Sequence, residues 1–326
     1  MAADAPEIRS DLLEPGFLWG DGGLAPLRLV HLTPGRKLPF NLFTAASTGG
    51  EFVLSCSRGR TYHQQTPGCG WGYFAVAEIP EVLTLLLERL EDRLPPEESL
   101  VLTVDTLLVW VQHFFSRGEA RTPGQVDIPR RLLAGCRQLL RPAGLSLREA
   151  QRLRRHDSGL FSHSVNVCLL SLVFGAALAE TRDAPEDFSL GALLHDVGMM
   201  TLSQDPFGQS RALEEEFWEK IKEHPHRGVE LLAPLPNLPA EILPMVEQHH
   251  EAHDGSGYPR GLAGEDIHPW ARVLRLLDSY EAMTSLRPWR PPLGEGEVRR
   301  IMATAWKVQG TCHPDLLDRF LSCCRE

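Results

Sequence analysis

A chain of 326 residues with 43% hydrophobic and 23% charged side chains has an ordinary globular composition and room for two domains. Its net charge of -10 argues against DNA or RNA as a partner, which needs basic surface, while a small anionic substrate remains compatible if bound cations reverse the local field. The seven cysteines include no CxxC pair and the N-terminus, Met1 to Pro15, is acidic, so neither a disulfide framework nor a signal peptide is indicated and a reducing cytoplasm is expected.

The first part of the chain reads as short strands. Leu27 to Leu32 alternates loosely, Phe40 to Phe43 strictly, and Glu51 to Cys56 is a brief apolar run, with Gly49-Gly50 as a hairpin turn before it. Tyr73 to Val76 is a further candidate strand. Ile79 to Leu94 then carries Val82, Leu85, Leu86 and Leu90 at helical spacing and closes on Pro95-Pro96. His31, His63 and His113 are isolated and are read as surface or packing residues.

From Ser99 the pattern becomes helical. Leu100 to Phe115 is amphipathic, Gly118 to Gly124 breaks it, and Pro129 to Leu140 resumes it. Further helices are expected over Leu145 to Arg155, His163 to Glu180, Pro185 to Leu194, Glu214 to Lys222, Pro225 to Leu232, Pro239 to Ala252, Pro269 to Met283 and Glu295 to Trp306. Pro185, Pro225, Pro239 and Pro269 stand where helices begin, a position that tolerates the missing N–H. The apolar run Val165 to Ala179 contains Asn166 and Ser171 and falls short of the roughly 20 residues of a spanning helix, so a buried helix and no membrane association are expected. The fold class is therefore α+β overall: a small N-terminal α/β module at 1–120, regulatory or dimerising, followed by an all-α domain at 121–326.

The chemistry lies on those helices. His163, His195-Asp196, His224, His249-His250 and Asp278 each fall on a different helix, as in metal sites built inside bundles. Histidine with carboxylate and no thiolate suits iron, manganese, nickel or zinc. Adjacent residues on a helix diverge by about 100°, so His249 and His250 are expected to address two different ions. Asp196 is the natural bridge between them, and such a pair activates water and polarises a phosphoryl oxygen.

The series His163 with Val167, His195-Asp196-Val197-Gly198, His224-Pro225 with Gly228, His249-His250-Glu251, Asp254-Gly255-Ser256-Gly257-Tyr258-Pro259, Gly261-Leu262, Asp278 and Ala282 to Arg290 resembles the HD-GYP phosphodiesterases, a branch of the HD metallohydrolases. The resemblance implies an HD-type helical domain that binds two or three metals, commonly iron or manganese, and hydrolyses cyclic di-GMP to pGpG or GMP. By that resemblance His163, His195, Asp196, His224, His249, His250 and Asp278 are the metal ligands, with His195 and Asp196 at the catalytic centre. Tyr258, Arg287 and Arg290, with Gly255 and Gly257 in the loop, fall where the family meets the dinucleotide. Arginine suits that task as a planar fork for phosphate oxygens.

Three positions depart from the family. Met199 stands where a lysine is usual, Glu281 where an aspartate is usual, and Gly159 where members with a third metal carry a glutamate, which favours two ions. The expected function is a metal-dependent phosphodiesterase of cyclic di-GMP or a related cyclic dinucleotide, in a homodimer or with a signalling-protein partner. The alternatives, motivated by Met199, are a catalytically weakened domain that signals by binding nucleotide or protein, and a phosphohydrolase of another phosphate ester.

Overall fold

The computed structural model describes residues 23–45, 52–63, 70–116, 126–140, 150, 153–154, 159–202, 215–287 and 290–323. The Gly49-Gly50 turn, the Gly118 to Gly124 break and nearly all of the helix expected over Leu145 to Arg155 lie outside the described residues.

The N-terminal part is a four-stranded antiparallel sheet of order β1-β4-β2-β3, with β1 Leu24–Arg28, β2 Leu42–Ala45, β3 Phe52–Cys56 and β4 Trp71–Ala75. Burial alternates along β1 alone, and Leu27, Leu42 and Phe74 are buried in the core. The strand expected over Leu27 to Leu32 instead ends at Arg28, and Leu29–His31 make a 3-10 turn. That turn carries His31 inward, where its Nε2 lies 2.7 Å from Asp105 Oδ2 on the second helix. The polar anchor thus ends the strand that the side-chain pattern would have continued.

Two helices follow, α1 Ile79–Leu90 and α2 Pro96–Ser116, the latter longer than its apolar segment suggested. Then come α3 Asp127–Leu140, α4 Leu160–Ala177, α5 Pro185–Leu194, α6 Glu215–Ile221, α7 His224–Leu232, α8 Ile242–Gln248, α9 Pro269–Thr284, α10 Glu295–Ile301 and α11 Pro314–Cys323. Proline occupies the first turn of α5, α7 and α9, as its missing N–H predicts. Pro239 does not begin a helix proper: α8 starts three residues later and stops at Gln248, short of the expected Ala252.

The centre of the helical part is α4, mostly apolar around its circumference and buried over residues 160–175. It packs on α2, α5 and α9. One contiguous apolar core runs from Leu27 and Phe74 under the sheet, through Leu107 and Trp110 of α2, to Leu170 of α4 and Phe320 of α11. Among the described residues no helix is long and apolar enough to cross a membrane.

Candidate metal centre

Polar side chains buried inside such a core cost about 1–3 kcal/mol each when unpaired, so their presence needs a reason. His163, on the first turn of α4, His195-Asp196, just past α5, His224, at the start of α7, and His249, just past α8, are all buried. Asp278, on α9, joins them. The elements that carry them are drawn together by close backbone contacts. A Cβ on Gly198 would lie 2.0 Å from the carbonyl oxygen of His224, so only glycine lets the turn after Asp196 seat on the start of α7.

Asp196 is the meeting point. Its Oδ1 lies 3.2 Å from His224 Nε2 and 3.7 Å from His249 Nε2, while its Oδ2 lies 3.4 Å from His195 Nε2 and 3.6 Å from His163 Nε2. The ligand-type atoms form two groups that share this carboxylate. One comprises Asp196, His224, His249 and His250, the other His163, His195 and Asp196, each within 4.8 Å of one another. Asp278 lies between them, 3.1 Å from His163 Nε2 and 4.0 Å from His250 Nδ1. Arg275, one helical turn before Asp278, does not pair with it but donates to the carbonyl of His250 at 3.0 Å.

This corrects one expectation. His249 and His250 do not address separate ions but fall in one group, their ring centroids 4.1 Å apart. The 100° divergence holds only inside a helix, and α8 has already ended at Gln248. The second group is completed by His163 and His195 instead.

The chemistry of the donors fits a cation. His195, His224 and His249 each place Nδ1 against the backbone carbonyl three residues earlier: Ala192 at 2.8 Å, Ile221 at 2.7 Å and Val246 at 2.7 Å. A carbonyl only accepts, so Nδ1 carries the proton and each Nε2 presents a lone pair inward. His224 and His249 consequently face each other lone pair to lone pair, Nε2 to Nε2, at 3.2 Å. His195 Nε2 and Asp196 Oδ1 are buried without a hydrogen-bond partner. Convergent lone pairs without hydrogens between them are unfavourable unless a positive charge sits among them, and these residues therefore fit divalent ions.

Charge follows the same division. Burial lowers His195 to about 4, and burial with neighbouring His249 and His224 holds His250 well below the usual histidine range. Burial would raise Asp196, but His195, His224 and His249 outweigh it and hold the carboxyl well below its ordinary value. His163 goes the other way. Burial disfavours its charge, yet Glu281 and Asp278 lift it to about 10. Its Nδ1 lies 2.6 Å from Glu281 Oε2 while its Nε2 faces Asp278, so one cation, a proton or a metal, is required on the inner nitrogen.

The glycine-rich loop after His250 is scaffolding around the mouth of this cluster. Glu251, buried, accepts from the backbone N–H of Arg260 at 2.7 Å and of Leu262 at 3.0 Å. Gly255 has φ of 81°, and a Cβ on Gly257 would come within 2.2 Å of Ala252 N, so both glycines are demanded by the loop's own path. The Tyr258 ring stacks on His250 at 4.7 Å, and burial raises its phenol, which stays protonated at neutral pH. Arg290 donates to the carbonyls of Ala282, Met283 and Pro291, closing the end of α9. Arg287 is buried and donates to Glu281 Oε2 at 3.2 Å. Both guanidiniums are thus engaged by the protein's own oxygens. Met199 is buried in the turn after Asp196.

Sequence reasoning passed over several contributors. Gln248 accepts from His268 N at 2.7 Å and ties the end of α8 to the start of α9. Asn166 sits one helical turn after His163, as Glu281, already singled out as a departure, sits one turn after Asp278, a spacing that marks them as neighbours of the cluster. His268 receives the N–H of Trp270 as a helix cap, and His253 packs half-buried against His313 with ring centroids 5.1 Å apart.

Comparison with known proteins gives the class. Residues 148–308 match the model of the HD domain family. The relatives are phosphodiesterases of cyclic dinucleotides. The chain is 32% identical over 152 residues to a cyclic di-GMP phosphodiesterase of Pseudomonas aeruginosa, covering 47% of this chain and 37% of that protein. It is 28% identical to the cyclic di-GMP phosphodiesterase response regulator RpfG of Xanthomonas campestris, covering 51% and 44%, and 31% identical to a 3'3'-cGAMP-specific phosphodiesterase of Vibrio cholerae, covering 34% and 24%. The chain thus spans less than half the length of these relatives. An HD-GYP protein from Bdellovibrio bacteriovorus shares the fold over 93% of this chain and 100% of its own, with a TM-score of 0.66 and 16% identity.

Proposed function

We propose that the chain is a metal-dependent phosphodiesterase that hydrolyses cyclic di-GMP or a related cyclic dinucleotide to pGpG or GMP. The observation that carries this reading is the pair of His/Asp groups sharing Asp196, with the Nε2 lone pairs of His195, His224 and His249 fixed inward by their carbonyl partners. His163, His195, Asp196, His224, His249, His250 and Asp278 would hold two divalent ions, iron or manganese, with nickel or zinc as alternatives. Ions in those positions supply Lewis-acid polarisation of a phosphoryl oxygen and a water acidified to near neutrality.

The chain's own residues do the rest. Asp196, kept ionised, offers one oxygen to each group, and the buried walls around it exclude bulk water. Tyr258, protonated and stacked on His250 at the cluster's rim, is placed to donate to a phosphate or a base. Arg287 and Arg290 are assigned to the anionic substrate, which would exchange with their present oxygen partners. Gly255 and Gly257 serve by setting the loop's path. Substrate and branch are argued from the phosphodiesterases of cyclic di-GMP and 3'3'-cGAMP among the relatives. The full set of inward-facing donors favours hydrolysis over a binding-only domain, although Met199 removes the charge that a lysine would give the phosphate. We assign residues 1–120 to regulation or dimerisation and 121–326 to catalysis.

The direct test incubates the purified full chain, loaded anaerobically with iron or with manganese, with cyclic di-GMP and with 3'3'-cGAMP. Linear dinucleotide or mononucleotide is expected from at least one substrate. No product from either substrate with either metal would overturn the assignment.

A further inference from the structure

Four histidines of the cluster place Nδ1 against an acceptor, and three of them solve the problem locally. His195, His224 and His249 use the carbonyl three residues earlier in their own helix or turn. His163 does not. Its Nδ1 meets Glu281 Oε2, 118 residues away on α9, at 2.6 Å. The orientation of this ring therefore depends on a tertiary contact.

Glu281 is itself surrounded by donors. Besides His163, its Oε2 lies 3.2 Å from Arg287 Nη2. Its Oε1 accepts from Asn166 Nδ2 at 3.0 Å, Arg154 Nη2 at 3.2 Å and the Ser285 hydroxyl. Five donors converge on two oxygens in a place the solvent does not reach. An amide cannot replace this carboxylate, because its NH2 group would face donors on whichever side it lay. Asn166 stands one turn after His163 on α4, so Glu281 holds one edge of that helix against α9, and Arg154 fastens the arrangement from a third segment.

We propose that Glu281 is the positioning residue of one half of the metal centre. It fixes the Nδ1–H tautomer and the ring plane of His163, and so makes the ion at the His163–His195 group dependent on Glu281, while the ion at the His224–His249–His250 group, whose histidines Glu281 does not touch, is independent of this carboxylate. The inference rests on the two-ion reading above. A carboxylate behind a ligating histidine raises its basicity, and losing such a partner typically costs about 10–100-fold in metal affinity.

The test is a calorimetric titration of metal-free full-length protein with Mn2+, comparing wild type with Glu281→Gln and Glu281→Asp. The expected result is two binding steps in wild type, with one step weakened about 10–100-fold in Glu281→Gln, less in Glu281→Asp, and the other step unchanged in both. Equal weakening of both steps, or no weakening of either, overturns the proposal. Circular dichroism reports folding, and if the Gln variant does not fold, the same criteria apply to the Asp variant. A readout that needs no variant is nitrogen NMR of histidine-labelled, metal-loaded wild type. His163 protonated at Nδ1 supports the proposal and protonation at Nε2 overturns it. Wild type that binds no Mn2+ at all would remove the metal centre itself, a failure distinct from two steps that respond alike.

Discussion

Buried histidine meets buried aspartate in both parts of this molecule, and the two meetings differ in kind. In the N-terminal part His31 meets Asp105 at 2.7 Å, and Arg28 Nε lies 2.9 Å from the same oxygen. The carboxylate is answered by an imidazole and a guanidinium of the chain itself, and the cluster ties the sheet to α2. In the helical part His195 and Asp196 are surrounded by imidazoles whose protons point outward, which leaves His195 Nε2 and Asp196 Oδ1 unmatched. A buried carboxylate met by donors and a charge of the chain itself holds a fold together. Pairing left open inside a dry core implies a ligand, because the chain would otherwise carry the desolvation cost for no return.

Breaking the open pair should have the largest effect. Asp196→Ala removes the oxygens common to both groups, so the ion content measured by elemental analysis should fall below one per chain. Turnover should fall by more than about 10²-fold, beyond the cost of losing a group one shell removed from the metal. Next is Gly198→Ala. Its Cβ cannot stand 2.0 Å from the His224 carbonyl, so the turn after Asp196 and the start of α7 must separate. A loss of stability at or above the roughly 1–3 kcal/mol of overpacking is expected in urea unfolding, together with loss of metal.

The closed pair should behave oppositely. Asp105→Ala leaves His31 and Arg28 without their carboxylate and should cost about 2–3 kcal/mol in urea unfolding. That is below the 3–5 kcal/mol of a fully buried pair because Arg28 is partly in solvent. Metal content should not change. If Asp105→Ala emptied the centre, the distinction between the two pairs would fail.

The pH dependence sharpens the same contrast. His195 is held at about 4 in the fold against 6.5 ordinarily, so the unfolded chain takes the proton first and stability falls as pH drops from 6.5 toward 4. His163 is held at about 10, so its contribution is full below 6.5 and is lost as pH rises toward 10. For these two groups, metal-free protein should be most stable near pH 6.5. Asp196, Asp278 and Glu281, all held low, steepen the acid side. Bound metal replaces the proton on His163, so Tm measured with Mn2+ should lose less on the alkaline side than Tm without it. The smallest effect is reserved for Tyr258→Phe, which keeps the stacking on His250 and removes one hydroxyl. A rise in KM of about 2–10-fold is expected in the dinucleotide assay, the worth of one hydrogen bond, with metal content unchanged.

Much of this was legible in the residues. Helices with proline in their first turn and apolar periodicity are specified locally, which is why α5, α7 and α9 begin where expected. The candidate ligands were legible as a group because histidine and aspartate recur on separate helices, and the structure brings them together. What could not be read is tertiary. The end of α8 at Gln248, which turns His249 and His250 onto one group, is set by packing and by the bond from His268 N to Gln248. The partner of His163 lies 118 residues away, and the inward turn of His31 answers Asp105, 74 residues away. Arg287 and Arg290 fell where a substrate contact was expected, but only coordinates reveal that Glu281 and the carbonyls at the end of α9 already engage them.

The most direct test of the central claim is anomalous X-ray diffraction from crystals of the metal-loaded protein. The account predicts two peaks flanking Asp196, one within bonding range of His163 and His195, the other of His224, His249 and His250. A single peak, or peaks away from Asp196, would contradict it.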